Sequence, residues 1–190
     1  MKQVDLSVVS QFQAVGAELC RRGLVSSHGG NLSVRVGDRM LVTSHGCKLG
    51  RIALEDLVET GLAPGDPADA LASMEAAVHR AIYCFTEARA VVHAHPAHAI
   101  ALSFKTRQIM PVDVEGSAIL GPVPVVGWGE RFGPGQGAEA IARALIGCKA
   151  VMVHGHGCFA AGADLEEACD YAMALEESCR IQYLVQNIAP

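Results

Sequence analysis

Two short apolar runs in this chain each end in a pair of histidines separated by one residue. The first run is AVVHAH over residues 90–95, and the second is AVMVHGH over residues 150–156. Short apolar runs bounded by turn-forming residues are typical of buried strands. Buried strands must be covered by other elements, so these two runs favour a layered fold with a sheet at its centre.

The remaining segments alternate between helical and extended patterns. Apolar spacing predicts helices over residues 5–22, 73–85, 137–146 and 164–187, with Asp164 as the acidic cap of the last one. The strands Leu32–Val36 and Met40–Thr43 form a predicted hairpin, and residues 110–126, punctuated by Pro and Gly, predict short strands and turns. The class expected is α/β, a central sheet with antiparallel pairs flanked by helices.

Composition narrows the class of protein. The length of 190 residues fits a single domain, 1–190. The chain has 51% hydrophobic and 18% charged residues and no apolar run of about 18 residues, so a soluble protein is expected. No secretory signal is evident, so a cytoplasmic location is expected. A net charge of -5 without a cluster of Lys and Arg disfavours nucleic acid as a partner. Seven scattered cysteines predict reduced thiols, not a disulfide framework.

The paired histidines are candidate metal ligands. Side chains two apart in a strand point to the same face, so His93 and His95 are neighbours, and His154 and His156 repeat the pattern. Two such strands side by side would bring three imidazoles together, and three His ligands with an open position form a catalytic zinc arrangement. The alternative is that these histidines are hydrogen-bonded or solvated polar residues at strand ends.

Two further features could belong to the same site. Glu75, near the start of a predicted helix, is either a surface residue favoured by the helix dipole or a base beside a metal. The loop SSHGGN, with Gly29, Gly30 and Asn31, either offers backbone N–H groups to an anion or is an ordinary turn before a strand.

Four motifs in this order resemble the class II aldolase and adducin head family. They are GLVSSHGGNLSVRVGDRMLVTSHG, ASMEAAVHRAIY, AVVHAHPAHAIALS and AVMVHGHGCFAAGADLEEA, and the resemblance covers roughly residues 6–185. It implies a single three-layer domain with a central, mostly antiparallel sheet. It also implies a homotetramer and a small phosphorylated sugar or related oxyacid as substrate.

The resemblance assigns roles to particular residues. It implies that His93, His95 and His156 bind Zn²⁺, or another first-row divalent ion such as Mn²⁺, Co²⁺ or Fe²⁺, leaving His154 as an extra histidine. Glu75 becomes the catalytic carboxylate that moves a proton at the carbon that turns nucleophilic. The implied reaction cleaves a ketose 1-phosphate to dihydroxyacetone phosphate and an aldehyde, through an enediolate that the metal stabilises.

The implied phosphate pocket departs from the family pattern. Its expected residues are Gly30, Asn31, His45, Gly46 and Ser73. His45 stands in place of a hydroxyl residue and Met74 in place of a second serine, and a thioether cannot donate a hydrogen bond to phosphate.

The acid that the family supplies from a tyrosine also has no match. Glu115 stands near that place and is assigned as a second catalytic residue. These departures motivate a second hypothesis, a metal-dependent dehydratase or decarboxylase on the same scaffold. A third is a non-catalytic interaction module like the adducin head, which would not need three histidines and Glu75 together.

Overall fold

The computed structural model describes residues 6–27, 29–129, 132, 133 and 135–188. These residues form eight strands: β1 (Asn31–Val36), β2 (Arg39–Thr43), β3 (Leu57–Gly61), β4 (Ala90–Ala94), β5 (Gln108–Ile109), β6 (Val123–Val126), β7 (Ala150–Val153) and β8 (Gly157–Gly162). They also form six α-helices: α1 (Leu6–Arg21), α2 (Ala76–Phe85), α3 (Ala97–Ser103), α4 (Val114–Ile119), α5 (Ala138–Ala144) and α6 (Leu165–Asn187).

All eight strands lie in one sheet, in the order β3-β2-β1-β4-β8-β7-β6-β5. Among the described pairings only β6 with β7 is parallel, and the others are antiparallel. The predicted hairpin is present as β1 and β2, joined through Gly37 and Asp38. The expected α/β class with a mostly antiparallel central sheet is confirmed.

The strand residues alternate between two apolar layers. In β4, Ala90 and Val92 pack into the layer that includes α1, α3 and α6, while Val91 packs into the layer that includes α2 and α5. Strand β7 shows the same alternation between Met152 and Val153. This period of two, with both faces apolar, is what a sheet covered by helices on both sides requires. His93 therefore lies on the same face of the sheet as Val91, beneath α2.

Several predicted boundaries differ from the structure. The predicted helix 73–85 begins only at Ala76, because Ser73 still pairs with the sheet, its N–H donating to the carbonyl of Thr43. The segment 110–126, predicted as strands and turns, contains the helix α4, which Asp113 caps by accepting a hydrogen bond from the N–H of Gly116 at 2.7 Å. Asp164 caps α6 as predicted. The predicted first helix is α1, and its expected first residue, Asp5, lies outside the described residues.

Among the residues that the structure describes, no helix is long and apolar enough to cross a bilayer.

Candidate metal centre

The imidazoles of His93, His95 and His156 converge on one point above the sheet. The Nε2 atoms of His93 and His95 are 3.0 Å apart, and the candidate ligand atoms of all three residues lie within 4.8 Å of one another. His93 is the second-to-last residue of β4, and His95 comes directly after the strand. His156 lies in the turn between β7 and β8. Three imidazoles at this spacing are a suitable donor set for one ion.

The strand order brings these residues together in a way that differs from the predicted one. Strands β4 and β7 were expected to be neighbours, but β8 lies between them. His156 reaches the cluster because the β7–β8 hairpin turns back at the same sheet edge where β4 ends, and Cys158 of β8 pairs with Ala94. The convergence therefore comes from the hairpin turn between β7 and β8, and not from two adjacent strand ends.

His93 is held in one orientation by its surroundings. It is 1% exposed, its Nδ1 lies 2.9 Å from the carbonyl oxygen of Cys158, and its ring stacks on Phe159 at 4.3 Å. Because a carbonyl oxygen only accepts, Nδ1 carries the proton and donates to it. In the neutral form of His93, which is the form able to bind metal, the lone pair is on Nε2, and Nε2 faces the other two imidazoles.

A missing side chain makes room for two of these rings. A Cβ on Gly157 would lie 2.5 Å from the carbonyl oxygen of Ala94 and 2.6 Å from Cδ2 of His95. It would also lie 2.9 Å from Cε1 of His93. These distances are shorter than real side chains permit, so only glycine allows β8 to pass this close to both rings.

Glu75 completes the cluster from the α2 side. It is 5% exposed and precedes the first residue of α2, and its side chain caps no N–H group of that helix. Its Oε2 lies 2.9 Å from Nε2 of His93 and accepts a hydrogen bond from Nδ2 of Asn31 at 2.9 Å. Its Oε1 lies 3.6 Å from Nε2 of His156.

Burial and hydrogen bonding act on Glu75 in opposite directions. Burial alone would raise the pKa of its carboxyl group. The hydrogen bond and charge of His93, with the amide of Asn31 and the charge of His156, outweigh burial and lower this pKa to about 2. Glu75 is therefore an anion facing the three imidazoles.

The residues present fit a bound divalent cation. Burial, followed by the charges of neighbouring histidines, lowers the pKa of His95 to about 4 and also lowers that of His156. Neutral imidazoles are the form that binds metal. Two ring nitrogens only 3.0 Å apart carry lone pairs that repel unless a proton or a cation lies between them. A cation beside Glu75 would satisfy this arrangement.

His154 does not take part in the cluster. Strand β7 ends at Val153, and Gly155 has a positive φ of 65°, so the chain turns between His154 and His156. The ring of His154 packs instead against Trp128, at 4.5 Å between centroids, and against Phe104, at 5.0 Å. The second H-x-H pair thus places its two rings in different surroundings.

The cluster formed by His93, His95 and His156 lies in a pocket of about 330 Å³. Its lining includes every residue predicted for the metal and phosphate sites, namely Gly30, Asn31, His45, Gly46, Ser73, His93, His95 and His156, together with Glu75. Gly30 has a φ of +83°, which lets the first loop pass beneath the carbonyl of His93. His45 and Gly46 are exposed at the opening of the pocket.

Glu115, Asn31 and Met74 are not placed to bind an anion in the pocket. Glu115 is exposed on α4 and does not line the pocket within one chain, so the structure does not bring it to Glu75. The side chain of Asn31 is 7% exposed and bonded to Glu75 and His79, so its amide is engaged within the protein. Met74 lines the pocket but is 61% exposed and has no group that donates to an anion.

Sequence reasoning missed a group of polar residues behind Glu75. Asn31, Ser33, His79 and Tyr83 are all buried and linked by hydrogen bonds of 2.5 to 2.6 Å. A signal was available, because Glu75, His79 and Tyr83 are spaced four residues apart and such residues share one face of a helix. That face is turned toward β1.

The fold agrees with comparisons to known proteins. The chain belongs to the class II aldolase and adducin N-terminal domain family, whose model matches residues 10–183. It is 33% identical to the 3-oxo-tetronate 4-phosphate decarboxylase of Haemophilus influenzae, over 96% of this chain and 90% of that protein. It is 32% identical to the L-fuculose phosphate aldolase of Escherichia coli, over 84% of this chain and 74% of that protein.

A solved structure is similar over nearly the whole chain. The crystal structure of L-fuculose-1-phosphate aldolase from Thermus thermophilus superimposes with a TM-score of 0.91 at 37% identity. The match covers 97% of this chain and 98% of that one.

Proposed function

We propose that this protein is a divalent-metal-dependent lyase that cleaves a small ketose 1-phosphate to dihydroxyacetone phosphate and an aldehyde. The observation that carries the proposal is the convergence of three imidazoles and one buried carboxylate in a single pocket. Relatives named as sugar phosphate aldolases support the reaction class. An interaction module without catalysis would not require these four side chains together.

His93, His95 and His156 would hold the ion, with zinc or another first-row divalent metal as its identity. When bound, such an ion is a Lewis acid that stabilises negative charge on substrate oxygens. The hydrogen bond from His93 to the carbonyl of Cys158 keeps its Nε2 directed at the site. The protein's contribution is thus a fixed set of donors around an open face.

Glu75 is the group proposed to move the proton. Aldol cleavage removes the proton of the hydroxyl that becomes the aldehyde oxygen and breaks the carbon–carbon bond. The negative carbon that remains must gain a proton, and synthesis reverses both transfers. Oε2 of Glu75 is held by Asn31 and His93, whereas Oε1 accepts no hydrogen bond from the described residues and lies 3.6 Å from Nε2 of His156. Oε1 is therefore the oxygen available to carry that proton at the substrate carbon.

The opening of the pocket is proposed to bind the substrate's phosphate. Gly30, Gly46 and Ser73 bring backbone and hydroxyl groups to the lining, and His45 adds an imidazole there. The imidazole of His45 has an N–H group that could donate to an anion, whereas Met74 stands where the family has a serine and offers no such donor. Relatives named for phosphorylated substrates support this assignment.

One observation favours a second function, decarboxylation of a 3-oxo acid phosphate. Glu115 lies outside the pocket of the single chain, so the site offers one carboxylate and no second acid among the described groups that line it. Loss of carbon dioxide from a 3-oxo acid also leaves a carbanion beside a carbonyl, and it needs only one later proton transfer. A relative named as such a decarboxylase supports this alternative.

The two functions are separated by the products of metal-loaded protein. We expect dihydroxyacetone phosphate to be released from a panel of ketose 1-phosphates and no carbon dioxide from a 3-oxo acid 4-phosphate. Carbon dioxide release without aldol cleavage would replace the aldolase proposal with the decarboxylase. Turnover of neither substrate class by protein with a full complement of metal would overturn both.

Glu75→Gln is the matched variant for this assay. It keeps the size of the side chain and the metal ligands but removes the proton carrier. We expect kcat to fall by about a hundredfold to ten-thousandfold, the range found for removal of a general base, with metal content unchanged. Unchanged kcat would remove Glu75 from the mechanism.

A further inference from the structure

A continuous chain of buried hydrogen bonds runs from Tyr83 on α2 to Glu75, behind the three clustered histidines. The Tyr83 hydroxyl lies 2.6 Å from Oγ of Ser33, and the same Oγ lies 2.6 Å from Nδ1 of His79. Nε2 of His79 lies 2.5 Å from Oδ1 of Asn31, whose Nδ2 lies 2.9 Å from Oε2 of Glu75. Every member of the chain is at most 7% exposed.

The chemistry of the groups fixes the direction of each bond. A carboxylate only accepts, so the amide of Asn31 must present its NH₂ to Glu75 and its oxygen to His79. That oxygen accepts, so Nε2 of His79 carries the proton. A neutral imidazole has one N–H group, so its Nδ1 accepts from the Ser33 hydroxyl.

The far end of the chain follows from the same rule. The single proton of Ser33 is used toward His79, so Oγ of Ser33 accepts from the Tyr83 hydroxyl. Burial raises the pKa of Tyr83 well above its usual value and lowers the pKa of His79 to about 3. Both groups therefore keep the protonation that this direction needs.

We infer that His79 is a positioning residue, which orients the Asn31 amide so that its NH₂ group, and not its oxygen, faces the carboxylate of Glu75. Without the donor on His79 the amide is free to rotate, and its oxygen would repel the carboxylate from its place beside His93. This inference rests on the proposed function insofar as Glu75 acts in the reaction. The competing interpretation is that the chain only ties α2 to β1.

Two substitutions of the same residue separate these interpretations. His79→Leu removes both ring nitrogens, whereas His79→Gln keeps one donor and one acceptor. Ile82→Ala is the matched control. Ile82 is fully buried on α2 and packs among apolar residues, and it takes no part in the chain of hydrogen bonds. All variants would be assayed with bound metal and below their unfolding temperatures.

We expect His79→Leu to lower kcat by about tenfold to a hundredfold while KM changes by less than about threefold, as for other groups that orient site residues. His79→Gln should recover most of the lost kcat, and Ile82→Ala should stay within about twofold of the unaltered protein. Equal losses of kcat in His79→Leu and Ile82→Ala would overturn the inference, since helix stability alone would then explain both.

An NMR measurement tests the inference even if the lyase proposal fails. In metal-free protein labelled with ¹⁵N-histidine, His79, assigned from the spectrum of His79→Gln, should be the tautomer protonated at Nε2. The imidazole shifts of His93 and His156 should move in His79→Leu and not in Ile82→Ala. Protonation of His79 at Nδ1, or unchanged shifts of both imidazoles, would overturn the inference regardless of any turnover.

Discussion

The chain contains two H-x-H pairs, each at the end of an apolar run, and the structure places their side chains differently. His93 and His95 both direct their Nε2 atoms toward the centre of the histidine cluster. Of the second pair, His156 joins the cluster, while His154 packs against Trp128 and Phe104. Identical spacing thus places both histidines of the first pair, but only one of the second, in the cluster of candidate ligands.

The difference arises from where each strand stops. β4 runs to Ala94, so the chain stays extended through most of the first pair, and side chains two apart remain on one face. β7 stops at Val153, before the second pair, and the positive φ of Gly155 reverses the chain there. A spacing of two therefore predicts a shared face only while the backbone stays extended.

The largest expected effect separates His93 from His98, a histidine that lies three residues after His95, in α3. His93→Ala should lose the metal and reduce turnover by about a thousandfold or more, equivalent to about 4 kcal/mol of transition-state stabilisation. His98→Ala is the control, because His98 pairs with Glu176 outside the pocket. Its kcat should stay within about twofold, and equal losses in a steady-state assay would contradict the assignment of ligands.

His79 differs from the histidines of both pairs, because it lies within the helix α2 and is fully buried. Its pKa is lowered to about 3 by burial, from an ordinary value near 6.5. The unfolded chain therefore binds a proton that the native state does not, so stability is complete above about pH 6.5 and falls as the pH drops toward 3.

The loss should amount to about 2–3 kcal/mol between pH 7 and pH 4.5. It is measured as the difference in free energy of unfolding between the unaltered protein and His79→Gln, whose side chain does not titrate. If that difference were the same at both pH values, His79 would not be buried in its neutral form.

A glycine that follows the second pair supports the first pair. Gly157→Ala would place a methyl group against the Ala94 carbonyl and the rings of His93 and His95. We expect a loss of about 2 kcal/mol in the free energy of unfolding from overpacking, with weaker metal binding.

Gly61→Ala is the matched control for that substitution, since its added Cβ would meet its nearest atom at an ordinary 3.4 Å. Chemical denaturation should show a change within about 0.5 kcal/mol for this control. Similar losses in both variants would mean that the close approach at Gly157 has no special cost.

The smallest effect is expected at His154. His154→Ala removes ring contacts with Trp128 and Phe104, which should lower the free energy of unfolding by about 1 kcal/mol. Turnover should be unchanged within about twofold, because the ring does not line the pocket. A large loss of turnover with normal stability would give this residue a role that its position does not explain.

Local patterns in the sequence predicted most of the elements but not their arrangement. The apolar runs of β4 and β7 and the cap of α6 at Asp164 are properties of a few neighbouring residues, and they were predicted. The strands β3 and β8 and the helix α4 were not. Their formation depends on pairing or capping partners that local patterns do not reveal.

The site divides in the same manner. His93, His95, His156 and Glu75 were predicted through resemblance to a family and lie together. Glu115, assigned to the same site by its place in the sequence, is exposed on α4, because the segment expected to be extended is helical. The chain of hydrogen bonds through His79 required the three-dimensional pairing of α2 with β1.

The central claim is that three histidines, and not four, bind one divalent ion. It is tested most directly by the metal content per chain, from elemental analysis of the unaltered protein, His156→Ala and His154→Ala purified without chelator. We predict close to one first-row divalent ion per chain in the unaltered protein and in His154→Ala, and loss of that ion in His156→Ala. Absence of metal from the unaltered protein even after zinc is added, or retention in His156→Ala with loss in His154→Ala, would contradict the claim.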